Sequence, residues 1–474
     1  MQEYLFHIIQ ENKNKEILII DRCAGTGQLE KNLPDNILKK FILNTYEFCE
    51  WINLGHNFHN KVKLIKPPYT NAQLIDVYIN ENAMENGNAL SKEFNKWLIE
   101  YLAEWRNNFP NGKIVFFENP PFRDETANSH GKGHTITSSF VYNNLLKEKS
   151  YQNGTIRDLS FQFIWSAKKY FMRENDEYCL ISPIKYWKWN DINFEFIEGY
   201  LSNRKKYNAT TGGLPIIRWR KNDSKKTNEI ELEYDSSKNK IKLKQIKKRV
   251  ADLKIDTIKK ENSYAAFSIG NMFVPEGNIL TNINKGLSNK KFYVSNENIL
   301  QIAVLNALNA WRGKDYTKDS LTIMKSFDLQ EQAWNDKKFM NDCLLWTLLT
   351  DQNQCYSNED ILNEICYSGI ATEKLDKNLF ENKQNELINL WNDLDKNFRK
   401  FCLSSIYPHW KYGLKQIIKE FNVKTKNSKD RFGKEIREYL YPELNSSIRT
   451  LKSKLKDFYS EFIEPKLEEY QLLK

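Results

Sequence analysis

The segment Asn119-Pro120-Pro121-Phe122, called the corner below, closely follows the apolar run at residues 114–117. It carries groups that can bind and orient a reacting molecule. The Asn119 side-chain oxygen and the Pro120 carbonyl can each accept one hydrogen of an amino group, and Phe122 can stack on a ring. Acceptors fixed in this way favour positive charge on the nitrogen as it attacks, so the corner suits a planar ring bearing an NH2 group. The alternative is a proline-rich loop after a core strand, and the flanking Asn and Phe favour the binding site.

A glycine-rich turn near the start of the chain is the second stretch of this kind. The apolar run at 16–20 ends in Asp21, and two glycines follow before Gln28. A strand that ends in an acid and a glycine-rich turn lets a backbone approach a cofactor closely. A second apolar run ends in Glu47, 20 residues after Gly27, where a carboxylate commonly binds the hydroxyls of a ribose. Each feature alone could be an ordinary turn or a solvated acid, but their occurrence together with the corner favours a cofactor site.

Strands and helices must position these residues. Short apolar runs bounded by turn residues predict strands, and apolar residues at helical spacing predict helices. The predicted strands are 16–20, 41–47, 73–79, 113–117, 177–181 and 216–219, and the predicted helices are 91–107 and 159–172. Their alternation through residue 190 predicts a mostly parallel sheet with an antiparallel hairpin at its edge, and the corner then lies at the carboxyl end of a strand, where ligands bind. Asn82, after the third predicted strand, is expected to contact a cofactor ring.

Composition restricts the class of protein. The 474 residues suffice for two or three domains, and no apolar run is long enough to span a bilayer. Seven scattered cysteines and an amino terminus without a signal-peptide pattern predict a cytoplasmic protein without structural zinc. A net charge of +10 with 13% aromatic residues modestly favours a nucleic acid partner.

The second half of the sequence is basic and then helical. Between 238 and 260 there are ten Lys or Arg and two Asp, and Lys240, Lys242 and Lys244 alternate with apolar residues. As a strand, this segment would form a basic ribbon along phosphates, and a solvated hairpin is an equal alternative. From about 380 the chain is predicted to be helical. One apolar stripe there is expected to pack on its own domain: Ile448, Leu451, Leu455, Phe458 and Phe462.

These motifs resemble those of one enzyme family. Residues 21–27 resemble motif I of S-adenosylmethionine-dependent methyltransferases, and residues 119–122 resemble motif IV of the amino-methylating DNA enzymes. The helix at 159–172 with the strand at 179–183 resembles the next blocks of bacterial adenine-specific DNA methyltransferases from restriction-modification systems, and 209–213 resembles a later substrate-side motif. The similarity covers roughly the first 220 residues.

The resemblance implies a Rossmann-like methyltransferase domain at 1–222, a mixed α+β target-recognition region at 223–375 and a helical region at 376–474. It implies methyl transfer from S-adenosylmethionine to N6 of an adenine that is flipped out of double-stranded DNA, without a metal. The cofactor residues implied or expected are Asp21, Cys23, Ala24, Gly25, Thr26, Gly27, Glu47 and Asn82. The residues implied to take the adenine are Asn119, Pro120, Pro121 and Phe122. The DNA-binding candidates are Lys240, Lys242 and Lys244.

The sequence departs from many relatives in two respects. No aromatic-Thr-Pro signature precedes Asp21, so the cofactor site is either completed differently or belongs to a larger assembly or a divergent copy. No nuclease cluster of acids and a lysine is recognisable in the C-terminal half, so a separate restriction endonuclease or specificity subunit is the expected partner. Methylation of RNA adenine or of a protein glutamine amide remains an alternative, because the corner suits the same NH2 chemistry in each substrate. A non-catalytic DNA-binding subunit with this fold is a third alternative, because the upstream motif is missing.

Overall fold

The described residues of the computed structural model form two compact units, Met1–Lys248 and Arg249–Lys474. The assignment of regions to methyl transfer and target recognition stays a prediction. The structure describes residues 1–64, 87–121, 139–148, 156–188, 192–207, 212–235, 241–247, 251–252, 255–256, 258–268, 280–281, 290–311, 324–325, 327–357, 365–367, 369–401, 412–423, 428–429, 435–436, 438–470 and 472. The predicted strand at 73–79 lies outside these ranges.

The first unit is built on a large, mostly parallel sheet, as the sequence predicts. Its described strands lie in the order β3-β2-β1-β4-β5-β7-β6-β8-β9. The strands are β1 Ile17–Asp21, β2 Phe41–Leu43, β3 Lys63–Leu64, β4 Lys113–Glu118, β5 Glu177–Ile181, β6 Glu195–Asn203, β7 Gly213–Arg220, β8 Glu229–Asp235 and β9 Ile241–Lys247. From β3 to β5 every neighbouring pair is parallel. This part of the sheet therefore has the order of a doubly wound fold, whose strand order reverses direction between β1 and β4.

The antiparallel hairpin β6–β7 is present, but it does not lie at the edge of the sheet. Strand β7 inserts between β5 and β6 and runs antiparallel to both. Strand β8 then pairs with β6 at Tyr200 and Glu233, and β9 pairs antiparallel with β8. The prediction that this hairpin lies at the edge of the sheet was wrong. Strand β6 can pair on the side away from β7, and the following charged hairpin, β8–β9, continues the sheet there.

Helices cover the apolar strands of this unit. They are α1 Gln2–Glu11, α2 Asp35–Leu38, α3 Phe48–Asn57, α4 Lys92–Asn108, α5 Phe140–Lys147, α6 Leu159–Ser166 and α7 Lys185–Lys188, with a π-helical turn at Ala167–Phe171. Three of these helices have a side-chain N-cap. Ser91, Ser139 and Asp158 accept hydrogen bonds from the backbone N–H groups of the first turn of α4, α5 and α6. Both predicted helices, at 91–107 and 159–172, are confirmed.

The second unit is mixed. Its described elements are β10 Ala251–Asp252, β11 Ala265–Ser268, β12 Leu280–Thr281, β13 Lys290–Val294, α8 Ile299–Trp311, β14 Met324–Lys325, α9 Phe327–Asn335, α10 Lys337–Leu349, β15 Cys355–Ser357, α11 Asn382–Phe401, α12 Leu414–Phe421, β16 Ser428–Lys429, β17 Glu435–Ile436, α13 Pro442–Phe458 and α14 Glu464–Glu469. The stripe from Ile448 to Phe462 packs into the core of its own unit, as predicted. Across the described part of the chain, every helix is too short or too polar to cross a bilayer.

Candidate active site

The two motifs leave the sheet from neighbouring strand ends. Asp21 is the last residue of β1 and Glu118 is the last residue of β4, and these strands pair in parallel and are buried throughout. Asn119 follows directly and is exposed, while Pro120 is buried and Pro121 is exposed. The predicted position of the corner at the carboxyl edge of the sheet is confirmed for these residues. That edge, at the reversal between β1 and β4, is where ligands bind in open α/β sheets.

Two predicted contacts cannot be placed at this edge. Phe122 and Asn82 both lie outside the described residues. Their roles in ring stacking and cofactor contact stay predictions.

The glycine-rich turn folds back tightly after β1. The Asp21 carboxylate accepts a hydrogen bond from the Cys23 N–H at 2.8 Å, and the Gly27 N–H donates to the Ala24 carbonyl at 2.9 Å. Both glycines have positive φ, +55° at Gly25 and +77° at Gly27. Cys23, Ala24 and Gly25 are partly exposed and Thr26 is exposed, so their backbone is accessible to a ligand.

Substitution of Gly27 by alanine should strongly destabilise the turn. A Cβ there would lie 2.3 Å from the Phe58 ring and 2.9 Å from Leu54, and its φ is one that L side chains rarely adopt. We expect Gly27→Ala to lower the free energy of unfolding by roughly 2–4 kcal/mol in urea titrations, since strain and overpacking add. Gly55→Ala is the matched control, because Gly55 is helical and its nearest neighbour would be 3.8 Å from the new Cβ. An equal loss in both variants would refute this explanation.

The segment after β2 carries two carboxylates, and one of them, Glu50, lies beside the turn. Glu47, the predicted ribose acid, does not end a strand as predicted, because β2 ends at Leu43. Glu47 is half-buried and directly precedes α3. Glu50, one helical turn later, accepts a hydrogen bond from Thr45 Oγ1, and its Oε1 lies 3.7 Å from where a Cβ on Gly25 would be. Glu50 is not among the predicted site residues, although its i+3 spacing from Glu47 on a helix was a usable signal.

Asn44 holds the ends of β1 and β2 together. Its side-chain amide donates to the Arg22 carbonyl at 2.9 Å and to the Gly87 carbonyl at 3.1 Å. The Asn44 backbone carbonyl accepts a hydrogen bond from the Ala24 N–H at 2.9 Å. The residue is buried, so these bonds fix the turn without competition from water.

An ion pair between Arg22 and Glu118 joins the two motifs. The Arg22 Nε and Nη2 donate to the two Glu118 oxygens at 2.6 and 2.9 Å, and the Arg22 backbone N–H donates to Oε1 at 3.2 Å. The remaining guanidinium bonds go to Ser166 Oγ at 2.8 Å and to the Phe163 carbonyl at 2.7 Å. The Tyr178 hydroxyl also donates to Glu118 Oε2. Both charged side chains are fully buried and hydrogen-bonded, so the ion pair is rigid.

Three aromatic rings surround the Arg22 guanidinium. Its central carbon lies 5.1 Å from the ring centres of Phe116 and Phe163 and 5.4 Å from that of Phe171. Burial alone would lower the pKa of Arg22, but the Glu118 carboxylate outweighs burial and raises that pKa. The arginine therefore stays charged.

A second buried acid, Glu30, accompanies Asp21. The Asp21 and Glu30 carboxyl groups share a hydrogen bond, and the Glu30 oxygens and Asp21 Oδ2 have no other side-chain partner among the described residues. Burial raises the pKa of the Asp21 carboxyl, and the charges of Glu30 and Glu118 raise it further. Burial raises the pKa of Glu30 from an ordinary 4.5 to about 7. The two acids therefore do not both ionise readily at neutral pH.

The Glu30 carboxyl should make stability depend on pH. Its folded-state pKa is above its ordinary value, so the folded chain holds the proton more tightly, and this stabilisation is lost as pH rises from 4.5 through about 7. We expect Glu30→Gln to be more stable than the wild type at pH 8 by up to about 3 kcal/mol, with little difference at pH 5. Urea titrations at both pH values measure this, with the exposed Glu16→Gln as control. A Glu30→Gln chain less stable than wild type at pH 8 would contradict it.

The described side chains of the segment after β5 pack mainly into the core. Tyr186 and Trp187 are fully buried, and the Trp219 Nε1 donates to the Tyr186 hydroxyl at 2.7 Å. The Ser182 N–H donates to the Pro215 carbonyl at 3.3 Å, which ties β5 to β7. Residues 209–211 of the later motif lie outside the described residues.

The predicted lysine ribbon falls on β9. Lys242 and Lys244 lie opposite Tyr234 and Leu232, and Lys240 is outside the described residues. The other face carries two exposed apolar side chains, Ile241 at 67% and Leu243 at 59%. The exposed acids of β8 on that face are Glu229, Glu231, Glu233 and Asp235. The alternation of lysines and apolar residues is present, and contact between the lysines and phosphates stays a prediction.

Comparisons with known proteins are sparse. No protein-family model matches the chain, and no curated protein matches it. Among solved structures, one match is a chain of the "cryoEM structure DrdV-DNA complex", with 14% sequence identity and a TM-score of 0.28. The match covers 48% of this chain and 25% of that chain. A TM-score of this size does not establish a shared fold.

Proposed function

We propose that this chain transfers a methyl group from S-adenosylmethionine to the N6 amino group of adenine in DNA. The observation that carries the proposal is the convergence of two motifs. The acid and glycine turn after β1, and the Asn-Pro-Pro corner after β4, leave adjacent parallel strands at the reversal of the sheet. A cofactor and a planar amino compound bound there would be next to each other, which is the requirement for direct transfer.

The turn has the features that a nucleoside cofactor needs. Gly25 faces open space apart from Glu50, so the backbone can be approached closely. The buried Asp21 carboxyl accepts a hydrogen bond from the Cys23 N–H and shares one with Glu30, so it is held in a fixed position to organise the site. Glu47 and Glu50 lie at the start of α3, the helix that follows β2, where either carboxylate can bind ribose hydroxyls. When bound, the cofactor supplies an electrophilic methyl group on its sulfonium.

The corner performs the protein's part of the reaction. The Asn119 amide oxygen and the Pro120 carbonyl accept the two amino hydrogens, so the nitrogen lone pair points at the methyl carbon. The new N–C bond forms as the S–C bond breaks, and the sulfur keeps the bonding electrons. The extra proton on the methylated nitrogen then leaves to water. The acceptors stabilise the positive charge that develops on the nitrogen.

The DNA assignment rests on chemistry and on sequence resemblance. An amino group inside a stacked duplex is inaccessible, so the adenine would be flipped into the site. The net charge of +10 favours a phosphate-bearing partner. Under this proposal the second unit reads the target sequence.

Labelled S-adenosylmethionine tests the proposal against its alternatives. The full chain is incubated with unmethylated duplex DNA, single-stranded RNA or a glutamine-containing protein. The proposal expects label in duplex DNA, recovered as N6-methyladenine. Label only in RNA or only in protein would replace the DNA substrate. The absence of both transfer and cofactor binding in calorimetry would leave the non-catalytic DNA-binding subunit.

A further inference from the structure

We infer that Arg22 and Glu118 are positioning residues that hold the cofactor turn and the Asn-Pro-Pro corner in register for transfer, an inference that rests on the proposed function. The pair acts through its neighbours and touches neither reactant. Arg22 follows Asp21 and precedes the turn, and Glu118 directly precedes Asn119. A change in this pair therefore moves the donor and acceptor sites relative to each other.

The geometry of the pair fixes orientation as well as distance. Two parallel N–H···O bonds lock the guanidinium and carboxylate planes together. The third bond, from the Arg22 backbone N–H, attaches the same carboxylate to the main chain at the start of the turn. On the far side, Ser166 and the Phe163 carbonyl of helix α6 hold the guanidinium. The hydrogen bonds of this pair therefore connect β1, β4 and α6.

Stability alone gives a weak reason for such a pair. Burying two charges costs about as much as their attraction returns, and apolar side chains of similar volume often serve equally well. A second arginine–carboxylate pair in the same unit lies away from the two motifs. Arg106 Nη2 donates to Asp176 at 2.7 Å and both side chains are largely buried, but Asp176 directly precedes β5 and therefore lies toward the opposite edge of the sheet. This second pair is a control for burial and charge without adjacency to the corner.

Replacing both charged residues of each pair with neutral ones distinguishes an effect on positioning from an effect on folding. Arg22→Met/Glu118→Gln removes the inner pair without leaving a lone buried charge, and Arg106→Met/Asp176→Asn does the same for the control pair. For each full-length protein we would measure the melting temperature, the cofactor Kd by calorimetry, and kcat and KM for label transfer to unmethylated duplex DNA. Asn119→Ala sets the background rate.

We expect the inner double variant to fold and to bind the cofactor within about threefold of wild type. Its kcat should fall about 100-fold, since a misalignment near 1 Å costs about this much. The control double variant should keep kcat within about threefold. Arg22→Lys, which keeps the charge but loses the paired bonds, should also lose at least about tenfold in kcat.

Each other outcome has a defined meaning. A folded inner double variant with wild-type kcat overturns the inference, and so does an equal loss in the control double variant. If the inner double variant does not fold, Arg22→Lys decides, and wild-type kcat in that variant overturns the inference. If wild type itself neither binds the cofactor nor exceeds Asn119→Ala in transfer, the proposed function fails, and the inference falls with it.

Discussion

Asn119→Ala is expected to lower kcat for methyl transfer by about 10²–10³-fold, because one preorganised group aimed at developing charge is worth about this much. Asn119 is exposed and directly follows β4, so the loss should not come from unfolding. The cofactor Kd should change less than about threefold, because the proposed cofactor turn follows a different strand. Single-turnover transfer and calorimetry measure the two quantities.

Asn119→Asp is the matched variant for this prediction. It keeps a side-chain oxygen acceptor of nearly the same size, so it should retain more activity than Asn119→Ala. If Asn119→Ala transfers methyl groups at the wild-type rate, or if Asn119→Asp is the weaker of the two, the amide oxygen does not have the proposed role.

Arg22→Met alone is expected to destabilise the first unit by about 3–5 kcal/mol, because it leaves the Glu118 carboxylate buried without its counter-charge. Tyr178 still donates to that carboxylate, but one neutral donor replaces little of a bidentate arginine. Hydrogen exchange of peptides from β1 and β4 reports the opening free energy of this unit in the full chain. The double variant Arg22→Met/Glu118→Gln should recover much of the loss, since both charges are then absent.

A surface ion pair gives the control for that stability prediction. Lys61 and Asp35 lie 3.0 Å apart with both side chains largely exposed. Lys61→Met should therefore change the opening free energy by less than about 1 kcal/mol. A comparable loss in both variants would show that burial of the Arg22 pair is not the cause.

The positions of the two motifs could be predicted from sequence because they depend on local signals. Runs of buried residues defined β1 and β4, and the prolines and glycines marked where each strand ends. The general rule that parallel strands share a carboxyl edge then placed Asp21 and Asn119 together. Nothing beyond the neighbouring residues was needed for this step.

The groups that join the motifs could not be predicted in the same way. Arg22 and Glu118 are 96 residues apart in the sequence, and each reads alone as a polar residue at a strand end. Glu30 reads as an exposed acid after the turn, and only tertiary packing reveals that it is buried beside Asp21. The edge hairpin was misplaced for a related reason, because the alternating acids of β8 gave no sign of pairing with β6.

The most direct test of the central proposal is single-base sequencing of N6-methyladenine in DNA from cells that express this chain. A parallel culture expresses Asn119→Ala at the same level. The proposal predicts a sequence motif methylated in the first culture and unmodified in the second. No methylated motif in either culture, or the same motif in both, would contradict it.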